Sequence, residues 1–313
     1  MIDKTQIIVI TGPTATGKSE LGIQLAKKIN GEIVSADSMQ IYKNMNIGTA
    51  KPNAEEMCGV PHHMIDVVSP LEDYSVARYI RDAESCIDSI IKRGNFPIIV
   101  GGTGLYIDSL ISGRTFSARV DTAERLCLEN EFDKTGGDAM LEKLRKVDAE
   151  TAQRLHPNDK KRIIRALEIH NSTGKTISEH NNETKNLSPR YKTLKFALNY
   201  SQRAVLYSKI NKRVDKMISM GLENEVRALL KMGLTAKNTS MQAIGYKEIS
   251  AAITDESDII SAVEKIKMES RRYAKRQLTW LRRDSGTHWI LWDKSPDFIC
   301  GINTISELLR GIK

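Results

Sequence analysis

The first hundred residues alternate between short apolar runs and stretches with apolar side chains at helical spacing. The spacing predicts a helix from near Lys18 to about residue 29 and another over residues 74–93. The apolar runs predict strands at residues 7–10, 32–35, 63–67 and 95–100. Strands that alternate with helices favour a parallel sheet covered by helices on both faces. We therefore expect an α/β fold with its functional loops at the carboxyl ends of the strands.

The pattern changes between residues 119 and 190, where short helical segments rich in Glu, Lys and Arg contain no convincing strand. A strand-like run resumes at residues 193–198. Residues 201–232 then predict a long amphipathic helix that breaks near Gly221. The pattern ends with a helix over residues 259–281 and a strand over 288–292. We predict a core made of residues 1–118 and 191–313, with a small helical domain, residues 119–190, inserted into it.

Composition excludes several classes of protein. The 313 residues are 40% hydrophobic and 27% charged, which is typical of a globular protein rather than a disordered one. No segment approaches the ~18 apolar residues of a membrane span, and no signal-peptide pattern precedes the first strand, so we expect a cytoplasmic protein. The four scattered cysteines lack zinc-site spacing. No heptad pattern favours an oligomer, and we expect a monomer.

A phosphate-binding motif follows the first predicted strand. The segment Gly12-Pro13-Thr14-Ala15-Thr16-Gly17-Lys18-Ser19 fits the pattern GxxxxGK[ST]. In such a loop the backbone N–H groups and the following helix N-terminus attract phosphate oxygens, the lysine reaches the terminal phosphates, and the Ser19 hydroxyl is a ligand for Mg²⁺. The motif predicts a P-loop that binds a pyrophosphate group, but it does not identify the phosphorylated molecule.

Two further polar segments follow predicted strands. Asp37 comes directly after strand 32–35, where its carboxylate could position a magnesium ion, act as a general base, or cap the turn through Ser38. Thr103 lies in Gly101-Gly102-Thr103-Gly104, where glycines let a substrate approach the backbone. The carboxyl ends of parallel strands share one edge of the sheet, so we expect both segments beside the phosphate loop.

Positive charge is concentrated in two segments of a chain whose net charge is +8. One is Lys160-Lys161-Arg162 with Arg165. The other, residues 271–283, contains six basic residues with Tyr273 and Trp280 and no acid. Basic side chains interleaved with aromatics suit single-stranded RNA, whose phosphates they neutralise and whose bases they stack on. A solvated basic helix face is the alternative, and charge alone does not separate the two.

Three motifs, in this order and spacing, resemble the signatures of the tRNA dimethylallyltransferases. They are the P-loop, Asp37-Ser38-Met39-Gln40-Ile41-Tyr42 and Gly101-Gly102-Thr103-Gly104-Leu105-Tyr106. Later segments are similar to further blocks of the family: His156-Pro157-Asn158-Asp159, Arg162 with Arg165-Ala166-Leu167-Glu168, Gly221-Leu222 with Glu225-Val226, Ala243-Ile244-Gly245-Tyr246-Lys247, and Lys275-Arg276-Gln277 with Thr279-Trp280-Leu281-Arg282. Some members carry a C-terminal zinc finger. This sequence lacks its Cys/His pairs and resembles the compact bacterial form.

The resemblance implies transfer of a dimethylallyl group from dimethylallyl diphosphate to the N6 amine of the adenosine 3′ to the anticodon, in tRNAs that read codons beginning with U. Lys18, with Mg²⁺ on Ser19, would stabilise the departing diphosphate. Asp37 would accept the amine proton, and Thr103 would help to place the base. The base, extruded from the anticodon stem-loop, would be contacted by Ser38, Met39 and Gln40.

The resemblance also implies a set of tRNA-binding residues. In the helical domain, which would close over the anticodon stem-loop, they are Arg125, Lys161, Arg162, Ile163, Ile164 and Arg165. In the core they are Asp37, Ser38, Met39, Gln40, Thr103, Gln242, Gly245, Tyr246, Lys247, Lys275, Arg276, Gln277, Trp280 and Arg282.

Other classes share parts of this pattern. A small-molecule kinase would use the same loop, magnesium ion and core, and residues 271–283 would then be plain surface. A prenyltransferase acting on free AMP, ADP or ATP would share the chemistry without needing a tRNA-binding surface, and the basic C-terminal half argues against it. A non-catalytic RNA-binding module would have no use for Lys18 and Asp37 at strand ends.

Overall fold

The computed structural model of the chain describes residues 5–113, 122–179, 182 and 188–310. It divides into two compact units. The first comprises the chain up to Ile111 and from Arg190 onward, and the second is Ser112–Pro189. Within the described ranges, no helix is both long and apolar enough to cross a membrane.

The first unit contains a six-stranded parallel sheet, which confirms the predicted α/β fold. In spatial order the strands are β3-β2-β4-β1-β5-β6. Their bounds are β1 Gln6–Thr11, β2 Gly31–Ser35, β3 His62–His63, β4 Phe96–Val100, β5 Lys192–Tyr200 and β6 Thr287–Trp292. One expectation was wrong in extent: the strand predicted at residues 63–67 is a two-residue strand that ends before Met64, whose φ is 63°.

The central strand of the sheet is fully buried at residues 7–10. In β1, Ile8 pairs with Ile98 of β4 on one side and with Leu194 of β5 on the other. Residues 7–10 are fully buried because helices cover both faces of this strand. A continuous apolar run is the pattern that such a strand requires.

The helices of this unit follow the predicted periodicity. The helix predicted over residues 74–93 begins two residues later, at Val76, because the Ser75 hydroxyl accepts a hydrogen bond from the Arg78 N–H and caps it. Gly221, at φ 95°, breaks the predicted long helix in two. The helices are α1 Lys18–Ile29, α2 Ala54–Met57, α3 Val76–Lys92, α4 Gly104–Ser112, α8 Arg203–Ser219, α9 Leu222–Lys231, α10 Tyr246–Thr254, α11 Ile259–Leu281 and α12 Phe298–Arg310.

The second unit is helical and has its own core. Its helices are α5 Thr122–Val147, α6 Ala149–Gln153 and α7 Lys160–Thr173, and α5 is interrupted at Gly136. Leu128, Leu144 and Leu167 belong to one buried cluster of this unit. Asp148 caps α6 by accepting the Thr151 N–H. The described residues of this unit therefore bury their apolar side chains between helices.

Candidate active site

The phosphate loop joins β1 to α1 through a tightly constrained backbone. Gly12 has φ 140°, and a Cβ atom there would lie 2.4 Å from the Leu198 carbonyl oxygen. Gly17, at φ 83°, caps α1 in a left-handed conformation. Only glycine fits at position 12, and glycine is strongly favoured at position 17. The Lys18 ammonium donates to the Pro13 carbonyl at 2.7 Å, which folds the lysine back over the loop.

The three predicted loops meet at one cavity of about 360 Å³. Thr14, Lys18 and Ser19 line it from the phosphate loop, Asp37 to Gln40 from the end of β2, and Gly101 and Gly102 from the end of β4. The neighbouring strands β2, β4 and β1 bring these loops together because their carboxyl ends lie at the same edge of the sheet.

One end of the cavity carries two cations and a carboxylate. Lys18 and Arg213 of α8 both line it, together with Asp37. Burial and the Arg213 charge lower the pKa of Lys18 to about 7, and Asp37 partly opposes this. Burial also lowers the pKa of Arg213. Two partly desolvated cations this close form a site that favours a polyanion.

Asp37 holds its own loop in place with one oxygen. Its Oδ1 accepts hydrogen bonds from the N–H groups of Met39 (2.9 Å) and Gln40 (3.4 Å). The turn-capping alternative considered from the sequence is therefore part of its role. Oδ2 makes no hydrogen bond within the described part of the chain, and the residue lines the cavity. The same carboxylate can cap the turn and accept a proton.

Thr103 ties the second loop to the first. Its hydroxyl oxygen accepts the Ser38 N–H at 3.0 Å, and its own N–H donates to the Ala36 carbonyl at 3.1 Å. A Cβ atom at Gly101 would lie 2.3 Å from that same carbonyl oxygen. The glycine is what lets the two loops approach.

Gln277 of α11 bridges the phosphate loop and the Gly101–Gly104 loop. Its Oε1 accepts the Thr14 N–H at 3.2 Å, and its Nε2 donates to the Gly102 carbonyl at 2.9 Å. The side chain is buried, with 6% of its surface exposed. Both ends of the amide are thus committed to backbone groups, an environment different from the tRNA contact expected of this residue.

Apolar side chains also line the cavity, among polar ones such as Gln40, Tyr273 and Arg276. The apolar ones come from both ends of the chain: Ile33, Ile65, Val100, Ile210, Val214, Met217, Ile244 and Ile266. The lining therefore combines cations with apolar side chains, which suits an amphipathic ligand with an anionic head and a short apolar body.

Comparison with known proteins agrees with this geometry. A family model described as IPP transferase matches residues 40–284. The tRNA dimethylallyltransferase of Caldanaerobacter subterraneus subsp. tengcongensis is 50% identical over 308 residues, which cover 98% of each chain. That of Carboxydothermus hydrogenoformans is 50% identical over 285 residues, 91% of each chain.

The chain belongs to the tRNA dimethylallyltransferase (IPP transferase) family.

Solved structures of the family share the fold. The tRNA isopentenylpyrophosphate transferase of Bacillus halodurans superposes with a TM-score of 0.74 at 40% identity, covering 98% of this chain and 96% of that one. A eukaryotic dimethylallyltransferase acting on tRNA gives a TM-score of 0.78 at 35% identity, covering 93% of this chain and 74% of that one. The resemblance noted from the motifs is confirmed.

The basic residues predicted on α11 lie on its exposed side. Lys275, Arg276 and Arg282 are exposed. Trp280 is half-buried: its Nε1 donates to Asp108 at 2.5 Å, and the Lys195 ammonium lies 4.4 Å from its ring centroid. The tryptophan therefore anchors α11 to neighbouring elements. The three cations are accessible to solvent, and Arg276 also lines the cavity.

The predicted residues of the helical unit fall into two groups. Lys161 and Arg162 are exposed, whereas Arg165 pairs with the buried Glu168 at 2.8 Å and Arg125 with Glu129 at 3.1 Å. Ile163 and Ile164 require a correction, because both side chains are buried in the core of the unit and present no surface to RNA.

The segment 242–247 also divides. Gln242 and Lys247 are exposed, while Gly245 and Tyr246 are buried. The Tyr246 hydroxyl donates to Glu225 at 2.5 Å. The Tyr246 side chain therefore makes its contacts inside the protein rather than at the surface.

Sequence reasoning missed Arg213. The residue lies within the amphipathic stretch 201–232, between Ile210 and Val214, which line the cavity with it. The available signal was a cation inside an apolar stripe, which is unusual for a helix that only packs against a core.

The residues at the cation-lined end fit a magnesium ion bound mainly by its substrate. Within the described ranges, no group of three or more His, Cys, Asp or Glu could hold a metal. The exposed Ser19 lines the same cavity as Asp37, and its hydroxyl has no hydrogen-bond partner in that part of the chain. Mg²⁺ keeps several waters and phosphate oxygens and needs only one or two protein ligands.

Proposed function

We propose that this chain transfers a dimethylallyl group from dimethylallyl diphosphate to the N6 amine of the adenosine 3′ to the anticodon, in tRNAs that read codons beginning with U. The relatives named above are tRNA dimethylallyltransferases. The observation that carries the proposal is a single cavity lined by the cations Lys18 and Arg213, by the Asp37 carboxylate and by several apolar side chains. A diphosphate, a five-carbon chain and an acceptor amine each find a matching part of it.

The cationic end supports departure of the diphosphate. As the amine lone pair forms a bond to the allylic carbon, the carbon–oxygen bond breaks and its electron pair leaves with the diphosphate. Lys18, Arg213 and the P-loop N–H groups would stabilise the charge that builds on the leaving oxygen. The apolar wall would hold the dimethylallyl chain and exclude water from the reacting carbon.

Asp37 would accept the proton that the N6 amine loses. Adenine delocalises the lone pair of this amine into its ring, so a carboxylate within about 3 Å of the proton assists attack. Because Oδ1 is held by the turn, Oδ2 is the oxygen available for this proton. Ser38, Met39, Gln40 and Thr103 would surround a base extruded from the stem-loop.

Ser19 would hold a magnesium ion on the diphosphate. When bound, the ion would neutralise charge on the leaving group. With or without the ion, Lys18 and the backbone of the loop would hold the diphosphate in its orientation.

Exposed basic residues would bind the tRNA backbone. Lys275 and Arg276 of α11 and Arg282, which directly follows this helix, would do so from the core, and Lys161 and Arg162 from the helical unit of residues 112–189. Their contribution to tRNA affinity would depend on salt concentration and not on the nucleotide sequence of the RNA. We propose that the enzyme acts as a monomer.

Labelled dimethylallyl diphosphate, undermodified tRNA and Mg²⁺ provide the test. The proposal expects magnesium-dependent labelling of the tRNA at the single adenosine beside the anticodon. Label on free AMP with inert tRNA would identify the free-nucleotide enzyme instead, and ATP turnover without label transfer would identify a kinase.

A further inference from the structure

Glu225 of α9 binds a loop that it does not belong to. Its carboxylate accepts hydrogen bonds from three consecutive backbone N–H groups, those of Asn46 (3.0 Å), Ile47 (2.9 Å) and Gly48 (3.3 Å). Consecutive N–H groups that converge on one point form a concave anion-binding site. Here a side chain 177 or more residues away in the sequence fills that site.

Tyr246 completes this arrangement. Its hydroxyl donates to Glu225 Oε1 at 2.5 Å, and a Cβ atom at Gly48 would lie 2.4 Å from its ring. The tyrosine is fully buried. Burial and the Glu225 charge raise its pKa, so the hydroxyl keeps its proton and remains a donor. Glu225 and Tyr246 together hold the loop from one side.

The other side of the same loop faces the cavity. The carbonyls of Thr49 and Ala50 accept from the Gln40 amide at 3.4 Å each, and the Thr49 carbonyl also accepts from the Arg213 guanidinium at 3.5 Å. Gln40 and Arg213 line the cavity, whereas Glu225 lies outside its lining. A chain of contacts therefore runs from Glu225 through residues 46–50 to two side chains of the site.

We propose that Glu225 is a positioning residue: by fixing the backbone of residues 46–50, it sets the orientation of Gln40 toward the acceptor base and, more weakly, of Arg213 toward the diphosphate. The inference rests on the proposed function, in which Gln40 contacts the base. A displacement of about 1 Å in such a side chain can reduce turnover roughly 100-fold.

Two variants separate this role from general stability. Glu225→Ala removes the acceptor for all three N–H groups. Glu248→Ala is the control, because Glu248, which is more buried than the half-buried Glu225, accepts a backbone N–H, that of Gly245 at 2.7 Å, but does not bond residues 46–48. Tyr246→Phe is a milder alternative that removes one hydrogen bond if Glu225→Ala does not fold.

Hydrogen exchange tests the contact itself. In Glu225→Ala the amides of residues 46–48 should lose protection by roughly tenfold or more, while Glu248→Ala leaves them protected. Equal protection of these amides in Glu225→Ala and in the wild type would overturn the proposal, whether or not the protein prenylates tRNA.

A double-mutant cycle with Gln40→Ala tests the consequence. If Glu225 acts through Gln40, the double variant should lose no more kcat/KM for tRNA than Gln40→Ala alone, and binding of inorganic diphosphate should change less than about threefold in Glu225→Ala. Multiplicative losses would overturn the proposal. A wild-type protein that does not label tRNA refutes the proposed function instead, and the exchange measurement still decides whether Glu225 holds the loop.

Discussion

Replacing Gln277 with methionine would remove both hydrogen bonds that join the phosphate loop to the Gly101–Gly104 loop, with little change in side-chain volume. A neutral hydrogen bond contributes about 0.5–1.5 kcal/mol, so the two together contribute about 1–3 kcal/mol. Because Gln277 is 94% buried, water replaces these bonds poorly, and the upper part of this range is expected. The apparent Tm should fall by several degrees.

The same substitution should affect catalysis. The N–H of Thr14 belongs to the loop proposed to bind the diphosphate, and Gly102 precedes Thr103, which we propose lies beside the acceptor base. Loss of the bridge lets the two loops move apart, and we expect kcat to fall by roughly tenfold or more. Denaturation midpoints and steady-state kinetics with labelled donor measure both effects.

Gln277→Glu provides a sharper comparison. One carboxylate oxygen still accepts the Thr14 N–H. The other replaces the amide nitrogen that donates to the Gly102 carbonyl at 2.9 Å, so two oxygens would repel each other there. Its negative charge also opposes a diphosphate. The KM for the donor should therefore rise more than in Gln277→Met. Gln24→Met, which removes one exposed hydrogen bond on α1, is the matched control and should change stability by less than about 0.5 kcal/mol. Wild-type stability and kinetics in Gln277→Met would refute the bridging argument.

Four further predictions follow from the site and the core. Asp37→Asn keeps an oxygen that caps the turn but loses the proton acceptor. Single-turnover rates should therefore fall roughly 100-fold or more while tRNA affinity is retained. An unchanged rate would exclude Asp37 as the base. Neutralising Lys275 and Arg276 should reduce the salt slope of tRNA binding by about 1–2, measured as log Kd against log salt; an unaltered slope would leave α11 as ordinary solvated surface. Because the pKa of free Lys18 is about 7, donor binding should take up protons and weaken as pH rises above 7, and calorimetry showing constant affinity from pH 6 to 9 would contradict this. Hydrogen bonds with Arg93, and then with Asn95 and His63, lower the pKa of buried Glu32 from 4.5 to about 2, so its stabilisation is present above pH 4.5 and lost as pH falls toward 2. Glu32→Gln should cost on the order of 1–3 kcal/mol at pH 6 and much less at pH 2, by urea midpoints at both values; a pH-independent difference would refute the assignment.

The apolar pattern was sufficient to predict most of the sheet. Strands β1, β4 and β5 are buried on both faces, so their sequences contain apolar runs that stand out from the helices between them. The pattern was insufficient at β3. Residues 63–67 have a strand-like composition, but Met64 and Asp66 adopt φ of 63° and 54°, and this left-handed backbone ends the strand after His63. A local turn conformation of that kind leaves no periodic signal.

The candidate site likewise contains residues that the sequence could predict and residues that it could not. The P-loop, Asp37 and Thr103 were recognisable because each lies in a short segment directly after a strand, and a parallel sheet must bring such segments to one edge. Ile163 and Ile164 were assigned with their basic neighbours, but the helical period directs them into the core of the helical unit. Adjacency in sequence is a poor guide to which face of a helix a residue occupies.

The sequence by itself determined the α/β class and the order of the motifs and predicted a pyrophosphate site, because those depend on local spacing and on residue type. Only the tertiary structure decided that Arg213 faces the cavity, that Gln277 bridges two loops and that Glu225 holds a third. Their hydrogen-bond partners lie 164, 263 and about 178 residues away along the chain. Contacts over such separations are set by how helices pack on the sheet, and the linear pattern of apolar and polar residues does not record that packing.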